Sequence, residues 1–191
     1  DDGVKLTGKS AGHTYALLTA NDASTSFLMP RSLGSSIATL GDVESEVAIG
    51  RYRFDIFENS TIGALVTDRR ADGYSNTVSS IDAVLRPSDR DVVTLQTMRS
   101  SSDYPTLIQG RYGQAASLSD SSHRMEYRHN DRRWDWRLGY TDMGEDFRAD
   151  LGFVNRVDFK FVVATVGHTW WGEADDFFNR IRVALDYDRT E

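Results

Sequence analysis

Alternation of apolar and polar positions is the strongest pattern in this chain. Across residues 132–141, Trp134, Trp136, Leu138 and Tyr140 share one phase of a two-residue period, and Arg133, Asp135 and Arg137 share the other. Successive side chains on a strand point to opposite faces, so this stretch predicts a strand with one aromatic face and one ionic face. The pattern recurs at residues 46–57. There Ala48, Gly50, Tyr52, Phe54 and Ile56 oppose Arg51, Arg53 and Asp55. It recurs again at 179–188, where Ile181, Val183, Leu185 and Tyr187 oppose Arg182, Asp186 and Asp188.

Between these anchors the chain predicts a series of short strands. Residues 4–9 and 13–20 form a hairpin around Ser10-Ala11-Gly12, and 61–68 pairs back on 46–57. Residues 77–86 and 92–98 flank Pro87-Ser88-Asp89-Arg90, a turn with proline in a favoured place. Residues 107–118 and 123–129 are expected as a hairpin around Ser119-Asp120-Ser121, and 147–154 and 157–170 as further strands. Residues 21–44, rich in Ser, Gly and Ala, read as a long loop with Phe27, Leu28 and Met29 tucking inward; 69–75 and 100–105 read as polar loops. The total is roughly eleven strands and no helix. Connections after Lys9, Phe57 and Arg86 are short; those after Ala20, Asp68 and Arg99 are longer. Up-and-down barrels show that parity. Gly63, Gly110, Gly113 and Gly167 fall inside predicted strands, where glycine eases bending or close approach.

Composition narrows the class. The 191 residues suffice for one domain, 1–191, with a sizeable core. The net charge of −7 argues against a nucleic-acid partner, which would need a basic face. There is no cysteine, hence no disulfide frame and no thiolate metal site. No apolar run reaches the ~18 residues of a transmembrane helix. A β-barrel needs only alternating strands of about 9–11 residues, so it stays open.

Candidate chemistry is sparse. Gly3-Val4-Lys5-Leu6-Thr7-Gly8-Lys9-Ser10 satisfies the P-loop pattern GxxxxGKS. That motif requires a buried strand before it and a helix after it, and here strand and turn fit better. His123 and His129 share a strand face with Met125 and Tyr127 but lack a third ligand. Glu126, Asp135, Asp186 and Asp188 could supply a glycosidase pair, yet carboxylates interleaved with arginine more often form cross-strand ion pairs. No nucleophile elbow is visible. Trp170-Trp171 and Phe177-Phe178 flank a polar turn, as interfacial girdle residues do. No catalytic residue, cofactor or metal is therefore expected; were the chain an enzyme, it would be a hydrolase of glycosidic bonds.

A family resemblance bears on the faces. Residues 4–9, 46–51, 60–69, 139–142 and, most specifically, Asp146-Phe147-Arg148-Ala149-Asp150-Leu151-Gly152-Phe153-Val154-Asn155-Arg156-Val157-Asp158 resemble the C-terminal barrel region of a family of Gram-negative envelope proteins. Those proteins carry an N-terminal domain like the family-nine carbohydrate-binding module. The resemblance implies an all-β fold: an antiparallel up-and-down transmembrane β-barrel, or a multi-strand fragment of a larger one. It further implies a place in the bacterial outer membrane and a role as pore, transporter or scaffold linked to carbohydrate binding or uptake. The chain lacks the sugar-binding module and a terminal aromatic strand end, so an internal fragment of a longer chain is expected.

On that reading Tyr52, Phe54, Trp134, Trp136, Leu138, Tyr140, Val183, Leu185 and Tyr187 face lipid. Arg51, Arg53, Asp55, Arg133, Asp135, Arg137, Arg182 and Asp186 line the interior. The expected partners are the bilayer, a carbohydrate or other small polar solute, and envelope proteins or further copies of the chain. The alternatives are a β-sheet carbohydrate-binding protein free of the membrane and a glycoside hydrolase component.

Overall fold

The alternating segments do form strands, and they line up in chain order. A computed structural model describes residues 2–41 and 43–191. Asp1 and Asp42, which belong to the predicted opening and the predicted 21–44 loop, lie outside the described residues. The strands are β1 (Asp2–Ser10), β2 (His13–Asp22), β3 (Ser26–Arg31), β4 (Gly34–Thr39), β5 (Ser45–Ile56), β6 (Ser60–Ala71), β7 (Tyr74–Ser88) and β8 (Asp91–Asp103). A short helix α1 (Thr106–Tyr112) comes next. It is followed by β9 (Ser117–Asn130), β10 (Trp134–Met143), β11 (Phe159–Trp171) and β12 (Arg180–Thr190).

Ten strands make one antiparallel sheet in the order β1-β2-β5-β6-β7-β8-β9-β10-β11-β12, and β3-β4 is a separate hairpin. The fold is all-β with an up-and-down course. The large sheet does not close: β1 and β12 are its two edges.

Directly opposed residues share a face, so the pairing fixes the faces across the whole sheet. One inner row runs Ala16, Arg51, Leu65, Ser80, Met98, Ser122, Met143, Phe159. One outer row runs Tyr15, Tyr52, Ala64, Ile81, Thr97, His123, Asp142, Lys160.

Three inserts leave the same end of the sheet and fold over its inner face. They are the β3-β4 hairpin, the α1 segment and residues 144–158. Their apolar side chains pack with those of Tyr74, Val78 and Leu118 on the sheet to make the buried core. Phe27, Met29, Ala38, Leu40, Tyr74, Tyr104, Ile108 and Leu118 form one cluster; Val78, Phe147 and Val157 form another. Phe27 stacks on Tyr74 at 5.1 Å and on Tyr104 at 5.7 Å.

Sequence expectations fail where this packing rules. Of the expected strand 107–118 only Ser117 and Leu118 are extended, as the start of β9; the rest is α1, closed by Gly113 at φ 65° in the left-handed region, and a loop. Ile108, fully buried, holds α1 down, and that tertiary contact outweighs a weak helical sequence. Gly110 and Gly113 therefore sit in and after a helix. Residues 119–121 are not a turn but part of β9. The predicted loop at 69–75 is a two-residue turn at Asp72-Gly73, with Gly73 at φ 65°. Ser100–Asp103 continue β8, and 147–154 form no strand. The 21–44 loop contains the β3-β4 hairpin; its Phe27 and Met29 are buried, as expected, and Leu28 is half-buried.

Candidate functional site: the two faces of the sheet

The inner face between the inserts and the short-turn end is built from ion pairs. Arg51 on β5 reaches across β6 to Asp82 on β7 through both guanidinium nitrogens, one bond measuring 2.8 Å. Gly63 on β6 makes this possible. A Cβ there would lie 2.7 Å from Arg51 Nη2. The device repeats: Asp135 on β10 meets Arg182 on β12 at 2.5 and 3.0 Å across Gly167 on β11. A Cβ at Gly167 would lie 2.5 Å from Arg182 Nη2. Arg69 spans three strands too, from β6 to Asp22 on β2 at 2.5 Å, and donates to Ser45 Oγ at 2.9 Å. Each bridge therefore ties together strands that are not neighbours, a stronger constraint than an adjacent ladder pair.

The predicted interior set separates clearly. Arg51, Arg53, Asp55, Asp135, Arg137, Arg182 and Asp186 all fall on the inner face by register. Asp55 meets Lys9 at 3.6 Å and Arg53 at 3.8 Å, and Asp186 accepts from Thr165 at 2.7 Å. Arg133 does not join them: it lies in the 131–133 turn, outside β10, so strand alternation does not govern it. There Asp131 accepts from the Arg133 and Trp134 amides, both at 2.7 Å, and these hold its carboxyl below its ordinary range.

All nine predicted lipid-facing residues fall on the outer face: Tyr52, Phe54, Trp134, Trp136, Leu138, Tyr140, Val183, Leu185 and Tyr187. They continue sideways into Val4, Leu6, Tyr15, Leu17, Ile62, Val66, Ile81, Met125, Val162, Val166 and Trp170, all exposed. From Trp134 to Tyr140 this belt runs about 20 Å along the strand. Rings gather towards the short-turn end. His13 stacks on Phe54 at 4.6 Å, His129 on Trp136 at 4.0 Å, and His168 contacts Trp134 and Trp170. Towards the insert end the outer face turns polar, with Glu46, Asp68, Arg70, Arg99, Asp142 and Lys160.

The inserts carry a polar clamp that the sequence did not signal. Asn76 on the inner face donates to the Arg148 carbonyl at 3.1 Å and accepts from the Asp150 amide at 3.0 Å. Ser100 Oγ accepts from the Arg148 amide at 3.0 Å. Arg148 donates to the Glu145 and Phe147 carbonyls and to Gln114, which ties the 144–158 segment to the α1 insert. Tyr74 and Tyr104 hydroxyls donate to Asp150 at 2.8 and 3.2 Å. Burial still lifts the Asp150 carboxyl to about 6, outweighing those bonds. The small polar residues on the inner phase of β7–β9 (Asn76, Ser80, Ser100, Ser102, Ser122), interrupted by Val78, Met98 and Asp120, were the one available trace, since such residues let another backbone approach.

The other candidates dissolve. Residues 3–10 are strand β1 with an Ala11-Gly12 turn, so no helix follows to cradle phosphate. His123 bonds Thr97 at 2.9 Å and His129 bonds Asp91 at 2.7 Å. Among the described residues no group of His, Asp or Glu could hold a metal. Glu126, Asp135 and Asp186 are each taken up by arginine or threonine. Among the described residues no helix is long and apolar enough to cross a membrane, which says nothing of strands. No family model, curated protein or solved structure matches the chain.

Proposed function

We propose that this chain is a wall segment of a bacterial outer-membrane β-barrel, serving as a pore, transporter or scaffold in carbohydrate uptake. One observation carries the reading. Away from the insert end, the outer face of the ten-stranded sheet is an apolar belt that none of the described residues covers, while the cross-strand arginine–carboxylate pairs and the buried core lie on the opposite face. Exposed apolar patches beyond a few hundred Å² are rare on proteins surrounded by water. A lipid-facing sheet needs such a belt, with rings at its edge and charge turned inward. In hydrocarbon the β1 and β12 edges must also find partners, so the reading requires a closed cylinder in the membrane. The inserts then stand as a constriction at one mouth.

Cell fractionation tests the reading. The protein is expected in the outer-membrane fraction, extractable only with detergent, and its gel mobility should shift on heating as a barrel unfolds. Release into the aqueous fraction without detergent would overturn it. Conductance in planar bilayers separates pore from scaffold: steps of current support the former, a silent membrane the latter.

A further inference from the structure

We propose that the inner face carries a binding site for an oxyanionic solute, one bearing carboxylate or phosphate, at Arg124 and Arg128 beside Glu126. Arg124, Glu126 and Arg128 take alternate positions on β9, and Arg137 on β10 is paired directly with Arg128. Like charges placed opposite each other destabilise a sheet. Glu126 relieves them. It accepts from Arg137 Nε at 2.9 Å and Nη2 at 2.6 Å through one oxygen, and meets Arg128 Nη2 at 2.6 Å through the other. Arg124 is left at 3.7 Å, beyond hydrogen-bond reach.

The stoichiometry sets this cluster apart. Arg51–Asp82 and Asp135–Arg182 are one-to-one pairs, whereas Glu126 faces three guanidiniums, so two positive charges are left over. Each guanidinium has about five N–H donors against about four lone-pair sites on the carboxylate. Glu126 is nearly buried and already takes three of these bonds, while Arg124 and Arg128 are half-exposed. Their free donors open on a cleft of about 460 Å³ whose polar lining includes Arg51, Asp82, Gln96 and Glu126, beside aliphatic side chains of β6 and β7. That volume suits a molecule of sugar-acid or sugar-phosphate size. Paired guanidiniums recognise planar carboxylate or phosphate through two parallel bonds. The rest of the chain is acidic, so this local excess is a departure from its surroundings.

The site goes beyond the membrane reading and is tested apart from it, by calorimetric titration of the purified chain in detergent at low salt. The probes are glucuronate, inorganic phosphate and neutral glucose. Saturable binding of either anion, with none of glucose, is expected; which anion binds identifies the source of the charge. Arg128→Gln should weaken binding about tenfold, and Arg124→Gln/Arg128→Gln should abolish it. Glu126→Gln, which removes the competing carboxylate and keeps all three cations, should tighten it. This variant decides the matter should the double variant fail to fold. Absence of saturable anion binding, equal binding by a folded double variant, or no tightening in Glu126→Gln would overturn the proposal. Failure to partition into membranes would leave it untouched.

Discussion

The outer belt and the insert-covered end of the inner face are both rich in aromatic and aliphatic side chains, yet they are built on opposite principles. On the outer belt, apolar residues recur every second position and meet one another across strands, joined near the short-turn end by the rings of His13, His129 and His168. At the insert end they come mostly from the three inserts and pack into a sealed core, with Phe147, Met29 and Ile108 fully buried. The sheet meets that core with a mixed face, in which the apolar Tyr74, Val78 and Leu118 stand among the small polar Asn76, Ser100 and Ser102. The apolar periodicity of the strands therefore does not mark where this protein keeps its core.

The contrast can be broken most sharply at Phe147. Phe147→Ala should cost about 3–5 kcal/mol of insert docking. Amide exchange should accelerate across residues 144–158 while the β5–β8 amides stay protected; uniform loss of protection would show that sheet and inserts are one cooperative unit. Next in size is Leu138→Arg. On a lipid face near mid-belt it should cost about 2–4 kcal/mol in denaturant unfolding from lipid vesicles. Thr61→Arg, on the inner face opposite Asp55, should cost far less. Equal costs would erase the distinction between the faces.

Asp150 gives the contrast a pH dependence. Its carboxyl binds a proton more tightly docked, at about 6, than free, at 3.8. The resulting stabilisation is full below the free value and is lost as pH rises through 6. Docking should weaken by about 3 kcal/mol over that window and stay flat above it. Amide exchange of residues 144–158 between pH 3.5 and 7.5 reads this out, and Asp150→Asn should flatten the profile. The smallest effect is expected at Gly63→Val. The new Cβ displaces the Arg51 guanidinium from Asp82, and loss of that half-buried pair should cost about 1–3 kcal/mol. Gly63→Val combined with Asp82→Asn should then cost little more than either change alone.

Legibility in the sequence followed the same divide. Strands whose two faces differ in chemistry, such as β5, β10 and β12, were visible because a period of two needs no tertiary information. Which residues share a face came with them, except at Arg133, where a turn interrupts the alternation. The inserts have no period to read. α1 is seven residues long, contains a glycine, and is fixed by one buried isoleucine. The 144–158 segment holds its shape through the Arg148 and Asn76 hydrogen bonds, whose partners lie tens of residues away. The Glu126 cluster was half legible. Alternation put Arg124, Glu126 and Arg128 on one face, but only the β9–β10 register brings Arg137 to them.

The central claim is that hydrocarbon covers the outer belt. Fluorescence quenching measures this directly in a Trp170→Phe/Trp171→Phe variant, whose remaining indoles are Trp134 and Trp136. In vesicles of acyl-brominated lipid the account predicts strong quenching of both, with aqueous iodide nearly without effect. Strong quenching by iodide with none by brominated chains would contradict it.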